Sequence, residues 1–93
     1  MPIQTPSFEQ NLEDLFHPNP YINKKASALM REHWLNRCLS ILIVKLQEDN
    51  INLRRKAILA LGQLGDNVFP QIVELYLSSE NCVIKTSCLK VLI

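Results

Sequence analysis

A recurrence at 31 residues constrains this chain more than any other feature of its sequence. Shifted back by 31 positions, Leu53, Ala57 and Leu61 fall on Ile22, Ala26 and Met30; shifted forward, they fall on Ile84, Cys88 and Leu92. Asn50 falls on Asn19 and Asn81, and Leu46 on Leu15 and Leu77. A unit this short cannot bury its own apolar face and must stack on copies of itself, so the period marks a solenoid built from helix pairs. The expected fold is all-α: an αα-solenoid of about two and a half 31-residue repeats.

Local signals place the helices. Residues 1–6, with two prolines and no apolar periodicity, are expected to be a disordered tail, and residues 7–93 a single repeat domain. Ser7 suits an N-cap with Gln10 at the capping-box position, and Phe8, Leu12, Leu15 and Phe16 make one helical face. His17-Pro18-Asn19-Pro20 stops that helix, because proline removes the donor and holds its predecessor out of the helical region. A helix from about Tyr21 to Arg31 follows, with Ile22, Ala26, Leu29 and Met30 inward, then a corner at Glu32–Asn36 with Trp34 over it. The next helix, about Arg37 to Gln47, is apolar around much of its circumference (Leu39, Ile41, Leu42, Ile43, Val44, Leu46), which predicts contacts on two sides. After Asn50 a helix reaches Leu64. Gly65 is expected as a left-handed C-cap, and Asp66 or Asn67 as the cap of the next helix. Pro70 suits that helix's first turn, and its apolar face reads Val68, Phe69, Ile72, Val73, Tyr76 and Leu77. A last helix from Val83 turns Ile84, Cys88, Val91 and Leu92 inward. The third repeat thus holds one helix, and its apolar end at Leu89–Ile93 is expected to continue into further repeats or to dock on another chain, self-association through this helix included.

Composition excludes several classes of function. Ten basic against nine acidic residues leave a formal charge of +1, too balanced for binding driven mainly by phosphate, so no nucleic-acid partner is expected. Three scattered cysteines, Cys38, Cys82 and Cys88, fit a reducing compartment better than a disulfide scaffold, and with two histidines they form no metal-ligand spacing. No phosphate loop, catalytic triad order or paired catalytic carboxylate is present, and no run is long enough to span a membrane. The chain reads as an intracellular binding protein with no catalytic residues of its own.

His17-Pro18-Asn19-Pro20, Leu53-Arg54-Arg55-Lys56-Ala57, Ala60-Leu61-Gly62-Gln63-Leu64-Gly65-Asp66 and the Val68, Pro70, Val73, Leu75 series together resemble the short HEAT-like repeats of the phycobilisome lyase group. That group includes the E/F-type phycobilin lyases and the phycobilisome-degradation proteins. The resemblance covers Leu12 to Ile93. It implies an ARM/HEAT-type superhelix that handles phycobilins or their phycobiliprotein carriers, as a lyase-type subunit or an auxiliary factor in chromophore attachment or removal. It implies no permanently bound cofactor, only a transiently held phycobilin; a phycobiliprotein subunit or another HEAT-like subunit as partner; and a cyanobacterial cytoplasm or a plastid stroma as location. The alternative is a generic protein-binding scaffold with no bilin role.

Candidate binding residues follow from both lines. Lys24, Lys25, Arg54, Arg55, Lys56 and Lys85 open the first helix of each repeat and form a basic row suited to an acidic partner or to bilin propionates. The competing role is structural, an ion pair between Asp49 of the inter-repeat turn and Arg55, and it is preferred for Arg55; both roles stay open for Arg54 and Lys56. His17, an imidazole able to donate a proton, and Trp34, a flat surface for a conjugated ligand, are candidate contacts; a helix-end role and corner packing compete with these. Cys82 is a candidate exposed thiol, expected to be unactivated.

Overall fold

The computed structural model describes residues 6–93, so the expected N-terminal tail lies, Pro6 apart, outside the described residues. Six α-helices follow one another: α1 (Phe8–Leu15), α2 (Pro20–His33), α3 (Leu35–Leu46), α4 (Ile51–Leu64), α5 (Phe69–Ser78) and α6 (Cys82–Leu92), with a single 3₁₀ turn at Gly65–Asn67 between α4 and α5. No strand occurs among the described residues. Consecutive helices pack as three hairpins, α1 with α2, α3 with α4, and α5 with α6. The second helices of the hairpins lie side by side in the order α2, α4, α6, and the whole is elongated, 51 × 24 × 20 Å.

The 31-residue period is written into the backbone. Asn19, Asn50 and Asn81 cap α2, α4 and α6 with nearly the same geometry: φ/ψ of −76/118, −72/117 and −81/119°. Each side-chain oxygen accepts from the N–H two residues on, at 2.9 Å (Tyr21), 2.9 Å (Asn52) and 2.8 Å (Val83). Such a cap satisfies a donor that the first turn would otherwise leave unpaired, worth about 1 kcal/mol per helix. Further along, Ala26, Ala57 and Cys88 are all buried, and Ile22, Leu53 and Ile84 are all half-buried. Small residues at the first of these slots let neighbouring second helices approach closely.

A second periodic device ties each hairpin. Asn23, Arg54 and Lys85 are equivalent by the shift of 31. Asn23 Nδ2 donates to the His17 carbonyl at 3.0 Å, and Arg54 Nη1 donates to the equivalent Glu48 carbonyl at 2.8 Å and to Asp49 O at 2.7 Å. Lys85 instead places its ammonium 4.9 Å from the centre of the Tyr76 ring, in cation–π contact with the preceding helix. Three different side chains therefore hold the second helix of each hairpin to the end of the first.

The core is one cluster running the length of the array, with Met30, Leu42, Leu46, Leu61, Leu64, Val68 and Ile72 fully buried. Each such side chain contributes about 1.5–3 kcal/mol of burial. Asn11 is the notable polar member: its Nδ2 donates to the Ala26 carbonyl at 3.1 Å and pins α1 to α2.

Several expectations are corrected. The corner between α2 and α3 is Trp34 alone, not Glu32–Asn36, and both flanking helices run closer to it than expected. Trp34 stacks edge-on against Phe8 (centroids 5.8 Å apart, planes at 82°), so aromatic packing sharpens the turn. Helix α3 touches α2 as well as α4, and Ile41 packs against the core, but Val44 is 62% exposed, so part of its apolar circumference stays open; α4 touches α2, α3 and α6 and still keeps an exposed face at Leu59. Gly65 has φ 70° and ψ −146°, a positive-φ conformation outside the left-handed helical region and open in practice to glycine alone. Neither Asp66 nor Asn67 caps α5: they belong to the 3₁₀ turn, α5 has no side-chain cap, and Asn67 Nδ2 donates back to the Leu64 carbonyl at 3.2 Å. On α5, Val73 and Leu77 are exposed, and Leu75 packs on the core instead. Ser7 does cap α1, accepting from the Gln10 N–H at 3.1 Å, but the Gln10 side chain bonds Asp14 rather than closing the capping box.

Candidate functional site

Grooves between neighbouring second helices collect most of the candidate residues. The groove between α4 and α6 is a cleft of about 280 Å³. Ile51, Ile58 and Val83 supply an apolar lining; Arg54, Arg55 and Lys90 supply the charge. No carboxylate lines it. Arg54 is oriented by its two carbonyl bonds, whereas Arg55 and Lys90 reach freely into solvent. Cys82, the first residue of α6, adds an exposed thiol. An apolar strip bordered by guanidinium and ammonium groups suits an amphipathic anion, since the fork geometry of arginine pairs with carboxylate or phosphate oxygens.

The equivalent groove between α2 and α4 is about 220 Å³ and is closed at one end by the turn after α1. His17 and Lys56 meet here, with Leu59, Gln63 and Asn23. Asn23 Oδ1 is buried in this region without a hydrogen-bond partner. Lower on the same junction Arg31 donates to the Gln63 carbonyl at 2.8 Å, and the Ser27 hydroxyl lies 2.7 Å from the Gln63 side-chain amide. Lys24 stands beside this bridge.

The structure thus brings Arg54, Arg55 and Cys82 to one groove, His17 and Lys56 to a second, and leaves Lys85 and Trp34 apart. Lys85 lies over Tyr76. Trp34 is half-buried and packs against Phe8 and His33. His17 is exposed; its Nδ1 accepts from the Asn19 N–H at 3.0 Å, so the imidazole also shapes the turn before α2. The expected ion pair between Asp49 and Arg55 does not form. The Asp49 backbone binds the neighbouring Arg54, which the helical phase turns toward the inter-helix turn while Arg55 points outward. Lys90 and Arg31 were missed by the sequence reading. Lys90 falls on Leu59 under the repeat, so no periodic signal marked it; Arg31 shares a helical face with Lys24, seven residues away, which was legible.

The cysteines differ in burial, with Cys82 exposed and Cys38 and Cys88 buried. Burial pushes the Cys38 thiol up to about 11 and raises that of Cys88, so neither is available as a thiolate near neutrality. Among the described residues, no group of three or more His, Cys, Asp or Glu side chains gathers as a metal site would need. No helix is long and apolar enough to cross a membrane.

The chain is similar to a curated protein of the cyanobacterium Pseudanabaena tenuis (strain PCC 7409) described as "Uncharacterized phycocyanin operon protein Z", at 27% identity over 86 residues. The match takes in 92% of this chain but 43% of that protein, so the chain spans less than half the length of the relative it matches. No family model matches the chain. No solved structure matches it either.

Proposed function

We propose that this chain is a HEAT-like helical-repeat unit that works with the phycobilisome, binding a phycobiliprotein or its bilin as a lyase-type or auxiliary factor in chromophore attachment or removal. The observation that carries the reading is the likeness, along 92% of the chain, to a phycocyanin operon protein. Two further features support it. The hairpins α1–α2, α3–α4 and α5–α6 repeat their caps and buried slots at a constant step, as stacked HEAT-like units do. The α4–α6 groove supplies Ile51, Ile58 and Val83 as apolar contacts for the ring edges of a linear tetrapyrrole, and Arg55 and Lys90 as partners for its propionates. Cys82 beside these cations would be the point of any covalent adduct, but it has no adjacent base to activate it. The chain is therefore assigned to binding and presentation rather than to catalysis alone.

The test is direct. The purified chain is mixed with phycocyanobilin and, separately, with apo and chromophore-bearing phycocyanin subunits. A shift of the visible absorbance band, or co-elution with a subunit, is the expected result, weakened by Arg55→Ala with Lys90→Ala. No spectral change and no co-elution with either would overturn the reading and leave a scaffold with no bilin role.

A further inference from the structure

The near-neutral total charge conceals a strong division between the two layers of helices. Helices α2, α4 and α6 carry eight of the ten basic residues (three, three and two) and one of the nine acidic residues, Glu32: a formal charge of +7. Everything else holds two basic and eight acidic residues, −6, and the two parts together restore the +1 of the whole chain. The ion pairs among the described residues, Glu32–His33 and Glu9–Arg37, involve none of the eight cations. Six of the eight, Lys24, Lys25, Arg31, Arg55, Lys56 and Lys90, are exposed. Like charges concentrated on adjacent helices, spaced about 8–10 Å apart, repel one another and cost stability unless something else uses them.

From this division we infer that the exposed face of the α2–α4–α6 layer is a docking surface for an acidic amphipathic helix of another protein. Charge alone would also suit nucleic acid. The same layer, however, exposes Ile51, Leu59 and Val83 among its cations, with Leu59 at 68%. Aliphatic side chains gain nothing from a phosphate backbone, whereas a helix with carboxylates flanking a leucine stripe covers them. Tyr21 is the one exposed aromatic of the layer, so there is no stacking platform for bases. The grooves between successive second helices, about 220 and 280 Å³, give such a helix a seat, with Lys56 on the first and Arg54, Arg55 and Lys90 on the two sides of the second to fix its register. This inference concerns the chemistry of the partner and stands whether or not the partner carries a bilin.

The test uses the whole chain and a fluorescein-labelled peptide about five helical turns long, built of Glu, Ala and Leu with leucines on one face. Polyglutamate of equal charge and a DNA duplex of equal charge serve as comparison probes. The expected result is saturable binding of the peptide, about tenfold tighter than polyglutamate, and its loss by about tenfold or more in Arg55→Glu with Lys56→Glu. A control variant, Asn36→Glu with Ser40→Glu and Lys45→Glu, changes net charge by the same amount on α3 and should keep the affinity. Circular dichroism checks both variants; if the face variant unfolds, Lys24→Glu with Lys90→Glu replaces it under the same expectations. Equal loss in the control, tighter binding of DNA than of peptide, or no peptide binding would each overturn the inference.

Discussion

Replacing Arg54 by methionine should destabilise the protein by about 1–2 kcal/mol, while the same change at Arg55 should cost less than about 0.5 kcal/mol. Arg54 Nη1 lies 2.8 Å from the Glu48 carbonyl and 2.7 Å from the Asp49 carbonyl, and these bonds close the turn between α3 and α4. A charged donor on a neutral acceptor contributes about 1.5–3 kcal/mol when desolvated. This pair is open to water on one side, which brings the two bonds together toward the lower end of that range. Methionine keeps the aliphatic stem, so the change removes hydrogen bonds and charge rather than packing. Arg55 is exposed and makes no hydrogen bond or ion pair among the described residues, and its loss relieves repulsion with Arg54 and Lys90, which line the same cleft. Urea denaturation followed by far-ultraviolet circular dichroism reads the difference. With a slope of about 1 kcal/mol per molar for a chain of this size, Arg54→Met should move the midpoint down by about 1 M and Arg55→Met by less than half of that. Equal shifts, or a larger effect at Arg55, would refute the assignment and restore the ion pair with Asp49 that the sequence suggested.

The two glycines should respond with opposite signs. Gly65→Ala forces a side chain into φ 70° and should cost about 1–3 kcal/mol, whereas Gly62→Ala sits in an exposed helical turn with nothing within 4 Å of the added Cβ and should stabilise by about 0.4–1 kcal/mol, both measured by thermal melting. Asn50→Ala removes the acceptor for Asn52 and Leu53 N–H groups and should cost about 1 kcal/mol, or roughly 4–8 °C in Tm, while Asn50→Gly should cost only a few tenths. Cys82 should react with Ellman's reagent at once in the folded protein, and Cys38 and Cys88 only on unfolding. The Cys38 thiol, raised from an ordinary 9.0 to about 11, stays protonated in the folded state where the unfolded chain ionises. Its contribution is therefore intact below pH 9 and lost between pH 9 and about 11, by at most about 1.4 kcal/mol per pH unit, and Cys38→Ala should flatten that part of the stability profile.

Much of the fold was legible because its strongest signals are local and repeat. Three asparagines 31 residues apart each open a helix, and a cap depends on one side chain and the next turn, so sequence spacing alone located α2, α4 and α6. Ala26, Ala57 and Cys88 were legible as buried for the same reason. What failed depended on contacts between distant residues. The tight corner at Trp34 is held by Phe8, 26 positions earlier, and nothing in Glu32–Asn36 announces that support. Val73 and Leu77 match the helical period of α5, but the period cannot say that no helix packs on that side. At the site, the basic row was visible residue by residue. Its meaning was not, because Arg54 and Arg55 differ only in helical phase, and because summing the charge over the whole chain cancels an acidic layer against a basic one. Lys90 became part of the groove only when α6 was seen to lie beside α4.

Backbone amide spectra of the isotopically labelled chain, recorded during titration with phycocyanin subunits, test the account most directly. It predicts saturable shifts confined to exposed positions of α2, α4 and α6, with Lys24, Arg55, Lys56 and Lys90 among them. Shifts centred on α1, α3 and α5, or no shifts at saturating subunit, would contradict it.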